Sequence, residues 1–253
     1  MSYKQPSSHI DFILRPADDL INEVISATNA LGFGIKTYPI CEYILPSAFL
    51  RLCGAQEQKL KCICWEIASR NYGYRYERYE RNPFSECSDY KDKCQVYNDL
   101  RNQIMELDES FLMDDVYKTN ILSDWNQGVQ RLFEGSIIVK SFTEKYRQCL
   151  GIISVVKPNW LMVKTQLFVK KDSISDAELV GTNGKSLADL FQETYDERNR
   201  CAHNTRSYQH NLPSIKTLAK ADSPTDNYFV YISILLLLDR IYIKLFNEYL
   251  DRL

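Results

Sequence analysis

The stretch ERNRCAHN, residues 197–204, combines residue types that could act on a phosphate group. Arg198 is followed directly by Asn199 and, after four intervening residues, by His203. Imidazole has an unperturbed pKa near neutrality, so a histidine can accept and return a proton at physiological pH. A guanidinium group remains charged and its planar fork matches phosphate oxygens. The pattern therefore predicts His203 as a proton carrier and Arg198 as a phosphate clamp.

The spacing of these residues restricts how they can share a site. On an α-helix, Asn199 and His203 are four positions apart and lie on one face. Arg198 is five positions from His203, which separates the two by about 140° around the helix axis. Either a break in the helix or a cleft completed by a second subunit would bring both to one phosphate. The alternative interpretation is a solvated helix end in which an arginine and a histidine occur at this spacing by chance.

In its residues and context, this stretch resembles the signature of the HEPN superfamily of all-α, nucleotide-binding domains. That signature is an arginine, four to six residues, and then a histidine, commonly with a polar residue such as asparagine after the arginine. Arg198, Asn199 and His203 match it, and the resemblance covers residues 186–250 directly. The chain departs at Thr205, where one toxin branch of the superfamily has tyrosine.

The resemblance implies a metal-independent endoribonuclease in which the ribose 2′-hydroxyl attacks the adjacent phosphate. The products would be a 2′,3′-cyclic phosphate and a 5′-hydroxyl, with Arg198, Asn199 and His203 as the catalytic residues. It also implies a homodimer whose motifs face each other, a role as a toxin or antiviral defence effector, and an inhibitor or regulatory protein as a partner. The alternative is a non-catalytic module of the same fold that binds RNA or a protein.

A second segment, residues 69–84, alternates tyrosines with arginines. Aromatic faces can stack on unpaired bases while arginines hold phosphates, as in proteins that bind single strands. Glu77 and Glu80 cancel part of this charge, so a solvated amphipathic helix is the alternative. The residues expected to bind RNA are Arg70, Tyr74, Arg75, Arg78, Arg81 and Arg200.

Composition places limits on these hypotheses. The chain has 253 residues, 45% of them hydrophobic, and a formal net charge of −2, so any binding of nucleic acid requires a local basic patch. The start of the chain shows no signal-peptide pattern and no run is long enough to span a membrane, which predicts a cytoplasmic protein. Eight cysteines occur without zinc-type pairs, and only three histidines are present, so we expect reduced thiols, no metal and no cofactor. His9 and His210 are expected in a mobile N-terminus and in a loop.

The elements that must position the motif are predicted to be helices. Apolar residues recur every three or four positions over most of the chain, and Gly and Pro are scarce. Predicted helices cover residues 16–31, 43–52, 56–72, 88–107, 116–133 and 137–150, and a last one, buried in the core, ends near residue 250. Its apolar positions exceed what one core face needs, so part of it is expected near a dimer interface. Ser186 is expected to cap the helix that carries the motif.

The residue pattern changes between about residues 151 and 184, where β-branched residues, a proline and turn signals cluster. This predicts a short strand pair or an irregular insertion. The sequence therefore predicts a single all-α domain over residues 1–253. Its expected architecture is a HEPN-like helical bundle with a small irregular or β insertion around residues 151–184.

Overall fold

The computed structural model describes residues 8–34, 37–81, 83, 86–203 and 227–253. The regular structure of this part of the chain is helical apart from one short hairpin, which confirms the predicted all-α class with a small β insertion. The α-helices are α1 (Ser8–Leu14), α2 (Asp18–Asn29), α3 (Thr37–Arg70), α4 (Tyr72–Arg75), α5 (Tyr90–Leu107), α6 (Asp115–Phe133), α7 (Ile137–Ser141), α8 (Thr143–Val155), α9 (Asp176–Leu179), α10 (Leu187–His203) and α11 (Tyr228–Asp251). A π-helix, Tyr76–Arg81, follows α4, and 3₁₀ turns cover Pro158–Trp160, Lys171–Ser173 and Val180–Thr182.

Helix α11 lies at the centre of the bundle. Every residue from Phe229 to Asp239 is buried, and the helix contacts α1, α3, α5, α6, α8 and α10. A helix that is apolar all round must be enclosed by others, because no face of it suits water. The buried core helix predicted from the sequence is therefore confirmed.

The same packing corrects one expectation about α11. The apolar positions that were expected to reach a dimer interface are all buried within the chain: Phe229, Ile232, Leu235, Leu236 and Tyr242. Several neighbouring helices cover the side chains that one core face alone could not. These five side chains therefore do not reach a surface that a partner could cover.

Helix α3 is longer than the sequence indicates, since the two helices predicted for residues 43–52 and 56–72 form one helix of 34 residues. It passes through Pro46 and through Gly54, which is exposed. A glycine inside a helix costs only about 1 kcal/mol, which burial of the flanking Leu52 and Cys53 can offset. The predicted helix 137–150, in contrast, is divided at Phe142 into α7 and α8.

Buried and half-buried polar pairs join α11 to its neighbours. Lys59 of α3 forms an ion pair with Asp239, which also accepts the backbone N–H of Ala17 at 2.8 Å. Arg240 pairs with Asp18 through both terminal nitrogens, at 3.0 and 2.7 Å. The polar groups of these pairs form their hydrogen bonds with partners distant in the sequence. The pairs therefore fix how α2, α3 and α11 pack against one another.

The predicted insertion contains an antiparallel hairpin of β1 (Leu161–Val163) and β2 (Gln166–Phe168). Leu161 pairs with Phe168 and Val163 with Gln166. Lys164, in the turn, has a φ of 53°. Trp160, Leu161 and Phe168 are fully buried, so the hairpin packs its apolar side against the helices.

All eight cysteines are free thiols, and five of them are buried: Cys41, Cys53, Cys64, Cys87 and Cys149. The expectation that they are reduced residues of the core agrees with these positions. Within the described ranges, no helix combines the length and the apolar character needed to cross a membrane.

Candidate functional site

Helix α10 carries the motif without interruption. Ser186 caps its start: the Asp189 backbone N–H donates to Ser186 Oγ at 3.2 Å, and Ser186 N–H donates to Asp189 Oδ2 at 2.8 Å. This reciprocal arrangement satisfies donors at the helix start and confirms the predicted cap. The helix then continues to His203, its last residue.

Arg198 is held between two acceptors. Its Nη2 donates to Glu57 Oε1 of α3 at 2.9 Å, and its Nη1 donates to Asn199 Oδ1 at 3.1 Å. The side chain of Arg198 is 27% exposed and that of Glu57 is 15% exposed, so the pair lies at the surface edge of the bundle. Two acceptors from different helices orient the guanidinium, and its remaining N–H groups make no hydrogen bond to the described part of the chain.

A small cavity of about 20 Å³ lies behind this ion pair, with room for about one water. Charged groups from three helices meet there: Glu57 of α3, Lys93 of α5 and Arg198 of α10. Its further lining residues are Cys53, Gln56, Ser88, Phe191, Thr194, Tyr195 and Leu235.

Lys93 adds a second cation to this site. Its ammonium group is buried and donates to the carbonyl oxygens of Cys87 and Ser88 at 2.8 and 2.9 Å. Burial lowers the pKa of Lys93, and the carboxylate of Glu57 opposes that shift. Burial also raises the pKa of the neighbouring Cys53 to about 12, so this thiol stays protonated at neutral pH.

Glu197 anchors the motif end of α10 to the start of α11. Its buried carboxylate accepts both Nε and Nη2 of Arg200 at 2.6 Å, Cys201 Sγ at 3.1 Å and the Tyr228 hydroxyl at 2.5 Å. Burial is the main cause of the raised pKa of both Tyr228 and Cys201, and the pKa of Cys201 reaches about 11. Arg200, expected to bind RNA, thus lies against Glu197 in a two-bond ion pair.

The side chain of His203 and residues 204–226, which include His210, lie outside the described residues. Because α10 is helical from Leu187 through His203, no helix break separates Arg198 from His203. Completion of the site by a second subunit, the other way to bring them to one phosphate, stays a prediction.

The second predicted segment spans the end of α3, α4 and the π-helix, and acids neutralise most of its arginines. Arg78 forms a two-bond pair with the buried Asp99 of α5 at 2.9 and 2.7 Å. Arg70 pairs with Glu66 at 2.6 Å, and Arg81 with Glu77 at 3.3 Å. Asp99 thus ties this segment to the bundle, a structural role that the sequence alone did not reveal.

Tyr74 does not fit its predicted role, because its side chain is buried in the core. The expectation that its ring stacks on RNA is wrong for this conformation: Asn71 caps α4 by accepting the Tyr74 N–H at 3.0 Å, and this turn directs the ring inward. Arg75 is exposed and makes no ion pair within the described part of the chain.

Arg75 instead lines a surface pocket of about 340 Å³ that the sequence analysis missed. Its other lining residues are Trp65, Ala68, Ser69, Tyr79 and Glu80. The rings of Trp65 and Tyr79 meet edge to face with centroids 6.4 Å apart. Trp65 is a large aromatic residue on the outer face of α3. Helical periodicity in the sequence could have shown that this position faces outward.

His9 lies beside this pocket. The expectation that His9 belongs to a mobile N-terminus is wrong. It belongs to α1, and its ring meets that of Trp65 edge to face with centroids 6.3 Å apart. Its Nδ1 lies 3.5 Å from Glu66 Oε1.

Comparisons of the chain with protein-family models, with curated proteins and with solved structures give no match. Within the described ranges, no three His, Cys, Asp or Glu side chains are grouped so that they could hold a metal ion.

Proposed function

We propose that the protein is an endoribonuclease of the HEPN type that cleaves RNA without a metal ion. The observation that carries this proposal is the orientation of Arg198 between Glu57 and Asn199, on the unbroken helix that ends at His203. A cation held in a defined plane at the rim of the bundle is suited to grip a phosphate.

In the proposed reaction, His203 removes the proton from a ribose 2′-hydroxyl, and the 2′-oxygen attacks the adjacent phosphorus. The bond to the 5′-oxygen breaks, and a protonated imidazole returns a proton to that leaving oxygen. Arg198 donates hydrogen bonds to the phosphate oxygens, where negative charge increases in the transition state. Asn199 accepts from Arg198 and so keeps the guanidinium in place.

Glu57 and Lys93 tune this site in opposite directions. The Glu57 carboxylate fixes Arg198 but also reduces the positive potential that an incoming phosphate experiences. Lys93, buried behind the ion pair, adds positive charge that water screens poorly. Lys93 thus offsets part of the negative charge of Glu57, while the ion pair with Glu57 orients Arg198 before the substrate arrives.

The proposal includes a homodimer, because a straight α10 places Arg198 and His203 about 140° apart around its axis. A two-fold axis beside α10 would bring the arginine of one subunit to the histidine of the other. A cytoplasmic location, a role as toxin or defence effector and a regulatory protein partner belong to the same proposal.

Incubation of the purified protein with RNA in excess chelator tests the proposal. We expect cleavage that leaves 2′,3′-cyclic phosphate ends and falls by roughly 10² to 10⁴ in the His203→Ala and Arg198→Ala variants. His210→Ala and Arg147→Ala, the same changes elsewhere in the chain, serve as matched controls. Full activity of His203→Ala, or activity that requires added magnesium, would contradict the proposed reaction.

One observation favours the non-catalytic alternative. Because Arg198 already bonds to Glu57, it could serve only to fasten α10 to α3. In that case Arg198→Ala would lower the melting temperature, whereas the wild-type protein would not cleave RNA. Loss of cleavage in an Arg198→Ala protein of unchanged stability would support the catalytic role instead.

A further inference from the structure

A pocket on the outer face of α3 combines three kinds of group that together suit one nucleotide. Trp65 and Tyr79 present aromatic surface and are 54% and 43% exposed. Arg75 supplies an exposed cation that makes no ion pair within the described residues, and Glu80 supplies an acceptor. A volume of about 340 Å³ lies in the range typical of small-ligand sites.

We infer that this pocket binds an unpaired nucleotide of a single-stranded RNA, with the base against Trp65 and Tyr79 and a phosphate on Arg75. The inference deepens the proposed function and rests on it for the class of substrate. Bases stack on aromatic side chains in proteins that bind single strands, and arginine holds the backbone beside them.

The mixed charge of the lining argues against other ligands. A purely cationic ligand would be repelled by Arg75, and an inorganic anion would make no use of the exposed rings. A nucleotide satisfies both, since it joins an aromatic base to a phosphate. Glu80 can accept from an exocyclic amino group, so adenine, guanine and cytosine are expected to bind better than uracil, which has none.

The pocket is connected to Arg198 along one helix face. Exposed or half-exposed positions recur at four-residue steps along α3, at Glu57, Lys61, Trp65 and Ser69. They form an outward-facing stripe, and eight residues separate Trp65 from Glu57, about 12 Å along the axis. A few nucleotides of single strand would span from the base pocket to the phosphate on Arg198.

The local backbone supports a binding role. Tyr79 and Glu80 belong to the π-helix Tyr76–Arg81. Such segments are rare and are frequently found at functional sites, because the extra residue per turn shifts side chains out of the α-helical register. The Arg78–Asp99 pair ties this segment to α5, so the pocket wall has a fixed support.

Tryptophan fluorescence tests the inference directly. Trp125 and Trp160 are both fully buried, so Trp65 is the exposed one of the three tryptophans. A short 2′-O-methyl oligoribonucleotide cannot undergo 2′-hydroxyl attack and therefore reports binding alone. We expect this probe to quench the fluorescence of Trp65, with oligo(A) and oligo(C) more effective than oligo(U).

Variants separate stacking from nonspecific attraction. Trp65→Ala should weaken binding of the labelled probe, measured by anisotropy, by roughly 5- to 100-fold. Trp65→Phe should lose the fluorescence change but keep most of the binding. Arg75→Ala should weaken binding and reduce its salt dependence, while Arg147→Ala, another exposed arginine, should change neither.

Unchanged probe binding in Trp65→Ala would overturn the inference. Absence of any probe binding would also overturn it, and this is the result expected if the pocket accepts a protein segment. The two proposals fail separately. Absence of cleavage with intact, Trp65-dependent binding would end the nuclease proposal only. Normal cleavage with an unchanged KM in Trp65→Ala would end this inference only.

Discussion

The guanidinium of Arg198 on α10 donates to the carboxylate of Glu57 on α3 at 2.9 Å, although 141 positions separate the two residues. This contact links the candidate catalytic helix to the helix that carries the aromatic pocket. It also means that the proposed phosphate clamp is held in place before any substrate arrives.

Glu57→Gln is expected to affect binding and turnover in opposite directions. Removing the negative charge should tighten RNA binding, so KM falls roughly 2- to 10-fold, because a phosphate no longer competes with a carboxylate. The weaker hold on Arg198 should lower kcat on the order of tenfold. Steady-state cleavage kinetics measure both. Glu144→Gln, which removes an exposed acid from α8, is the control, and a higher KM with unchanged kcat would contradict the assigned role.

Mixing two inactive variants tests whether the site is completed across a dimer. If Arg198 of one subunit serves His203 of the other, a mixed dimer of Arg198→Ala and His203→Ala chains contains one intact site. An equal mixture that exchanges subunits should then recover about a quarter of wild-type activity. Cleavage assays after co-refolding measure this. No recovery, together with full activity of a monomer by light scattering, would show that each chain holds a complete site.

Tyr228→Phe is expected to destabilise the protein by about 1.5–3 kcal/mol, because its hydroxyl donates to the buried carboxylate of Glu197. The phenylalanine keeps the ring contacts, with Phe49 and Tyr231, so the loss isolates the hydrogen bond. Urea unfolding measures the change in the free energy of unfolding. Tyr43→Phe, at an exposed tyrosine, should leave stability unchanged, and equal stability of both variants would refute the anchoring role.

Cysteine alkylation should show the raised thiol pKa values. Burial holds the pKa of Cys201 near 11 and that of Cys53 near 12, so at pH 8 roughly one thiol in 10³ or 10⁴ is ionised. The thiolate is the reactive form, so labelling of native Cys201 should rise about tenfold per pH unit between pH 8 and pH 10. Mass spectrometry of peptides after a short iodoacetamide pulse measures this, with urea-unfolded protein as the reference. Native labelling as fast as in urea would contradict the burial.

Local chemistry was sufficient to predict most elements from the sequence. Apolar residues at helical spacing predicted the bundle, a continuous apolar run predicted the enclosed α11, and β-branched residues with turn signals predicted an insertion that contains the hairpin at 161–168. Ser186 was recognisable as a cap because its partner Asp189 is only three residues away. These features depend on neighbours in the chain, which a sequence displays directly.

Tertiary packing decided what the candidate residues contact. Nothing near Arg198 in sequence indicates Glu57, and nothing near Arg78 indicates Asp99, because each pair joins helices that meet only in the folded bundle. Tyr74 and Tyr79 are equivalent in a string of alternating tyrosines and arginines, yet one is buried and the other lines a pocket. The residue types and their spacing came from the sequence, whereas the partners that neutralise, orient or expose each side chain depend on helix packing, which short-range periodicity does not encode.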